Sequence, residues 1–232
     1  MYRSKVLLVL LAAGVSLSAA PLLVEGFDDI TTLPGSGWVQ TNNSSPVGPS
    51  GWFQGTPAVF TSQTGADDSY IASNFESADG SGAISNWLIT PNLILNNGDV
   101  LSFYTRTETG STFSDVLEVR LSTNGGSTNV GATSTSVGDF TNVLLTINSY
   151  PQSWTLEQLI LSGLAGPTSG RLAFRYAVAS ADNADYIGID TLTVTPAADG
   201  VPEPSTGALL LAGFIGALGV SKFRRTAVKR II

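Results

Sequence analysis

The chain has 232 residues, with 11 basic and 18 acidic side chains, no Cys and no His, for a net charge of −7. Those absences exclude disulfides, zinc centres of Cys or His, Cys–His dyads and Ser–His–Asp triads. With no Lys between Lys5 and Lys222, a Schiff-base lysine and a Lys–Asn isopeptide are excluded from the interior of the chain. Residues 21–200 suit a single domain of sandwich size. They hold four arginines (Arg106, Arg120, Arg171, Arg175) against 17 acids, a net charge of −13. Such a surface repels phosphate backbones, which argues against a nucleic-acid partner, and it suits divalent cations.

In chain order, residues 1–20 read as a secretion signal. Arg3 and Lys5 precede an apolar stretch at 6–17, and the small residues Ser16, Ser18, Ala19 and Ala20 follow. Because Pro21 disfavours a cut after Ala20, cleavage is expected after Ser18 or Ala19. A domain at 21–198 comes next, with apolar residues of period two. Leu117, Val119 and Leu121 share one face, with Glu118 and Arg120 on the other. Leu172, Phe174, Tyr176 and Val178 alternate with Ala173, Arg175 and Ala177. Further strands are predicted at 22–27, 58–61, 69–73, 87–95, 100–107, 143–147, 155–161 and 186–195. Turn residues lie between them at 96–99, 124–126 and 166–167. The fold class is all-β, a two-sheet jelly-roll-like sandwich flanked by an N-terminal signal helix and a C-terminal transmembrane helix. Residues 31–66 are rich in Gly, Ser, Thr, Asn and Pro but carry Trp38, Trp52, Phe53 and Phe60, and read as a long loop with apolar anchors.

A tail at 199–232 completes the chain. Val201-Pro202-Glu203-Pro204-Ser205 is a stiff, non-helical stretch. An uncharged segment follows, giving a transmembrane helix at about 206–223, and then Lys222, Arg224, Arg225, Lys229 and Arg230 form a basic end at 222–230. The positive-inside rule puts that end in the cytoplasm and the domain outside the inner membrane. Pro202, Glu203 and Pro204, the helix and the basic end, in that order, resemble the PEP-CTERM sorting signal of Gram-negative bacteria. The resemblance implies processing by signal peptidase and an exosortase, and delivery to the cell surface or extracellular matrix.

Within the domain, Glu25-Gly26-Phe27 followed by Gly37-Trp38 resembles the opening of choice-of-anchor J domains, relatives of cleaved-adhesin and MAM-like jelly rolls. Asn86-Trp87-Leu88-Ile89-Thr90-Pro91, Leu101-Ser102-Phe103, Leu117-Glu118-Val119, Ser122-Thr123-Asn124-Gly125-Gly126, Leu172-Ala173-Phe174-Arg175-Tyr176 and Ile187-Gly188-Ile189-Asp190 match later blocks in order. Thr191 stands where that family usually has a second acid. The resemblance implies adhesion-type binding at a surface, with no defined reaction. It also implies that the first and last strands lie side by side with a structural calcium between Glu25 and Asp190. Asp28 and Asp29 are further ligand candidates, since calcium takes six to eight oxygens.

The residues add a hint of their own. Ile187 and Ile189 share one parity and Leu192 and Val194 the other, so a β-bulge is expected near Asp190. Asp67-Asp68 reads as a turn initiator. Trp87 is expected in the core. Trp52, Phe53 and Trp38 are the candidate contact residues, Trp52 and Phe53 being the pair expected to be exposed. No catalytic residue is assigned. The expected function is that of a non-enzymatic, adhesin-like surface or matrix protein, with a carbohydrate-binding module for exopolysaccharide as the alternative and a glycan-active enzyme third.

Overall fold

The computed structural model describes residues 19–197. The signal segment up to Ser18 and the sorting tail, with Pro202, Glu203, Pro204 and the transmembrane helix at about 206–223, lie outside the described residues. Among the described residues no helix is long and apolar enough to cross a membrane.

Thirteen strands are formed among the described residues: β1 Leu23–Glu25, β2 Val39–Asn42, β3 Ser45–Val47, β4 Phe53–Gln54, β5 Ile71–Asn74, β6 Ala78–Ile89, β7 Leu93–Leu95, β8 Val100–Thr107, β9 Leu117–Ser122, β10 Asn142–Ile147, β11 Thr155–Ile160, β12 Thr168–Val178 and β13 Tyr186–Thr195. They make two antiparallel sheets. The first runs β11-β8-β13-β5-β4 with β1 beside β13, and the second runs β10-β9-β12-β6-β2 with β3 beside β6 and β7 beside β12. The all-β two-sheet sandwich expected from the period-two pattern is therefore present. Residues 155–160 are a strand, as their Trp and β-branched neighbours suggest.

Alternation puts one face of each sheet inside. In β8, Leu101, Phe103, Thr105 and Thr107 are buried and every other residue is partly open. Leu172, Phe174, Tyr176 and Val178 do the same from β12, and Phe103 meets Phe174 across the sandwich edge to face, with centroids 5.0 Å apart. Burial of these apolar side chains is the main stabilising term, at about 25 cal/mol per Å².

The reading of 31–66 as one long loop is corrected, because β2, β3 and β4 lie within it. They are short and polar, and β3 contains Pro46, so periodicity could not reveal them; pairing with β6 and β5 defines them. Conversely, 58–61 is not a strand. It belongs to a segment that crosses the outer face of the first sheet, where Phe60, Tyr70, Ala72 and Tyr186 are buried with Phe53, Val59 and Trp154 around them.

The outer face of the second sheet is covered as well. Trp87, Ile89 and Ala173 pack there against Val130 and Phe140 from the connection between β9 and β10. Trp87 is buried as expected, but outside the sandwich rather than within it. Glu118 organises this layer. Its Oε2 accepts from Arg120 Nε at 2.7 Å and Arg175 Nη1 at 3.0 Å. The same two guanidinium groups donate to the Phe140 and Ser134 carbonyls, fastening the connection down. Burial alone would raise the Glu118 carboxyl, but the Arg120 hydrogen bond and both guanidinium charges outweigh it and hold the group below its usual value. The stability it contributes is present above the ordinary carboxylate value and is lost as pH falls through the lowered one.

Glu118→Gln leaves two arginines without their counter-charge. The expected loss is about 3 kcal/mol in urea denaturation at neutral pH, the low end for a buried pair because Glu118 keeps some solvent contact. The gap should close as the medium is acidified through the lowered Glu118 value. A neutral-pH loss under about 0.5 kcal/mol, the range of an ordinary surface change, would contradict this role.

Candidate functional site

Asp190 lies in β13, at the point where that strand changes partners. Residues Tyr186 to Ile189 pair with β5, and Leu192 to Val194 pair with β1, Glu25 standing opposite Leu192. On the other edge the register with β8 shifts between Asp190 and Thr193. This is the bulge anticipated from the parity change. Thr191 sits at φ 48°, a conformation that costs a β-branched residue on the order of 1–3 kcal/mol.

The Asp190 carboxylate holds that geometry. Its Oδ1 accepts from the Thr191 N–H, and its Oδ2 accepts from the N–H groups of Gln63 at 2.7 Å and Thr64 at 3.1 Å. The Thr191 hydroxyl donates to Gln63 Oε1 at 2.8 Å. One side chain, 0% exposed, thus fixes the bulge and anchors the segment covering the first sheet. Burial raises the Asp190 carboxyl above its usual value, against the opposing pull of the three N–H donors. The neighbouring outward position, Gly188, has no side chain. A Cβ there would lie 2.9 Å from Phe60 and 3.0 Å from Trp154 and Tyr70, so the aromatic cover seats directly on the strand.

Glu25 does a parallel job in β1. Its Oε1 accepts from the Phe27 N–H at 2.9 Å and holds Phe27 at φ 54°. That turn sends the Phe27 ring into the core against Trp38, with centroids 5.7 Å apart. Asp28 is exposed, and its Oδ1 would lie 3.1 Å from a Cβ on Gly65 in the covering segment. Asp29 caps the turn at Ile30–Thr32. Glu25 and Asp190 thus lie at one corner through the β1–β13 pairing, with Asp28 over the same segment. Among the described residues, no three acids converge as a metal-holding group. Asp67 and Asp68 are exposed in the turn before β5.

Two of the three aromatic contact candidates, Trp52 and Trp38, are corrected. Trp52 is only 4% exposed and Trp38 only 3%, both in the central core. Phe53 is half-buried and stands edge-on to Tyr186, with centroids 5.7 Å apart. Flanking glycines suggested exposure, but β4 forms between them and carries Trp52 inward.

The exposed apolar surface lies elsewhere. β10 and β11 each form one edge of a sheet, and a cavity of about 770 Å³ opens beside them. Its lining includes Leu121, Asn142, Val143, Leu159, Ile160 and Leu164, and no charged side chain. Ile160 is 72% exposed. The sequence signal was available, since Leu159-Ile160-Leu161 are consecutive and alternation cannot bury all three.

No family model matches the chain, and no curated protein sequence matches it. Solved structures do. The K1 cleaved adhesin domain of Lys-gingipain from Porphyromonas gingivalis W83 is 25% identical, with a TM-score of 0.54, over 77% of this chain and 98% of that one. The K3 cleaved adhesin domain of the same protein is 21% identical, with a TM-score of 0.54, over 76% of this chain and 98% of that one. The K2 domain is 20% identical, with a TM-score of 0.53, over 75% and 99%.

Asp190→Asn turns an NH₂ group toward main-chain N–H donors. The expected cost is about 1 kcal/mol or more in urea denaturation, the low end of the penalty for unmet donors because these N–H groups are partly buried. An unchanged midpoint would show that Asp190 does not anchor the covering segment. Residues 19–197 share the sandwich fold of the cleaved adhesin domains.

Proposed function

We propose that the chain is an exported, adhesin-like protein of the cell surface or extracellular matrix, whose domain binds a neutral surface polymer of the exopolysaccharide class. The fold shared with the K1 cleaved adhesin domain carries this reading. The groove at β10 and β11 supports the choice of polymer, being free of charge on a domain whose net charge at 21–200 is −13. Leucines and Ile160 give it apolar surface, while Asn142, Ser162 and Thr168 offer hydrogen bonds to hydroxyl groups. The role is one of binding, without catalysis. Signal peptidase and an exosortase acting at residues 1–20 and at Pro202–Pro204 belong to the same proposal, on the sequence pattern of the two ends.

Groove variants test it. Ile160→Glu and Val143→Glu replace exposed apolar groups, so thermal stability should change little, within about 0.5 kcal/mol. Retention on the producer's own exopolysaccharide should fall. Unchanged retention by a stable double variant would reject the groove as the contact surface.

A structural calcium at the Glu25–Asp190 corner is the second part of the proposal. Its support is chemical: Glu25 Oε2 and both Asp28 oxygens receive no hydrogen bond among the described residues, and calcium favours such carboxylate oxygens. Calcium bound only to the folded chain at 100 times its dissociation constant adds about 2.7 kcal/mol. Melting temperature should therefore drop with chelator and recover with calcium, and Glu25→Gln with Asp28→Asn should remove the difference. A melting curve indifferent to chelator would eliminate the ion.

A further inference from the structure

A second cavity, of about 610 Å³, opens beside the short strand β4. Three rings line it: Phe53, Tyr186 and Phe75, the last 48% exposed. Three carboxylates, Glu76, Glu108 and Asp185, complete the wall, and no basic residue does. The Glu108 and Asp185 carboxylates accept no hydrogen bond among the described residues, and Glu76 meets only Asn74 Nδ2 at 3.4 Å.

No arginine of the domain is left to neutralise them. Arg120 and Arg175 are held by Glu118. Arg171 donates to the Gly37, Thr90 and Gly126 carbonyls. Arg106 donates to the Thr107 and Gln152 carbonyls and lies 4.4 Å above the Phe60 ring. The carboxylates share the cavity with rings, which a metal ion does not use but an organic cation does.

The fold itself shows what fits a ring beside a carboxylate. The Arg175 guanidinium lies 5.2 Å over the Trp87 ring while Nη1 donates to Glu118 at 3.0 Å. A planar guanidinium satisfies both elements together, stacking on the ring face while its N–H edge meets carboxylate oxygens. The second cavity brings rings and carboxylates into one lining with no guanidinium among them. We infer that it receives an arginine side chain from a protein partner. This site is separate from the uncharged groove and does not depend on what that groove binds.

Calorimetric titration of the full chain with a blocked Gly-Arg-Gly peptide tests the inference, with the citrulline peptide and a glucosamine oligomer as comparison probes. The arginine peptide should bind about tenfold more tightly than its uncharged citrulline analogue. Glu108→Gln with Asp185→Asn should weaken it about tenfold, whereas Asp67→Asn with Asp68→Asn, the same loss of charge elsewhere, should leave it within about twofold. Phe75→Leu, at a half-exposed ring, should also weaken binding and provides a variant that keeps every charge. Equal losses in the two charge-matched variants would reduce the effect to diffuse attraction and overturn the site. Absence of peptide binding would overturn it too, as would tighter binding of the glucosamine oligomer through Glu108 and Asp185.

Discussion

The carboxylate of Asp190 is the constraint on which the first sheet depends. β13 must pair with β5 over its first half and with β1 over its second, and the change of partner requires a bulge. That bulge puts Thr191 in a left-handed conformation. The carboxylate takes the Thr191 N–H with one oxygen and the Gln63 and Thr64 N–H groups with the other. A strained turn and a long surface segment thereby stabilise each other. Without the carboxylate, both would leave partly buried N–H groups facing a buried site unmet.

The same logic recurs on the other sheet with different chemistry. There, two arginines reach from β9 and β12 to the carbonyls of the β9–β10 connection, and Glu118 balances their charge. Each outer face is sealed over aromatic side chains, Phe60 and Tyr70 on one and Trp87 and Phe140 on the other. Covering the faces makes buried surface from residues that a bare sandwich would expose. That matters in a chain with no disulfide to hold it. The edge strands β10 and β11 present Val143, Leu156 and Ile160 to solvent. Edge strands left open in this way are where partners are received or must be guarded against.

Much of the architecture was legible because period two is a local signal. β8 and β13 occupy the residues expected of them, and the parity change between Ile189 and Leu192 located the bulge in advance. What was not legible depends on distant partners. β2 and β4 are too short and polar to declare themselves, and Trp52 is carried inward by pairing that its own neighbours do not encode. The partners of Asp190 are main-chain groups of Gln63 and Thr64, which no side-chain pattern can reveal. The neutral groove was partly visible in three consecutive apolar residues. The acidic, ring-lined cavity was not, since Glu76, Glu108 and Asp185 are far apart in the chain.

Charge sorts the surface into distinct regions. Glu108 and Asp185, without internal partners among the described residues, line the cavity beside β4, and Asp28 stands free at the Glu25 corner, while the β10–β11 groove carries no charge. Both depend on how the covering segments are held, so the anchoring by Asp190 is the point to examine. Native-state hydrogen exchange on the unaltered chain does so directly. If the covering segment is part of the cooperative fold, the Gln63 and Thr64 amides exchange as slowly as those of β13, through global opening. Exchange of those two amides at the rate of the exposed Gly126 amide would contradict the account.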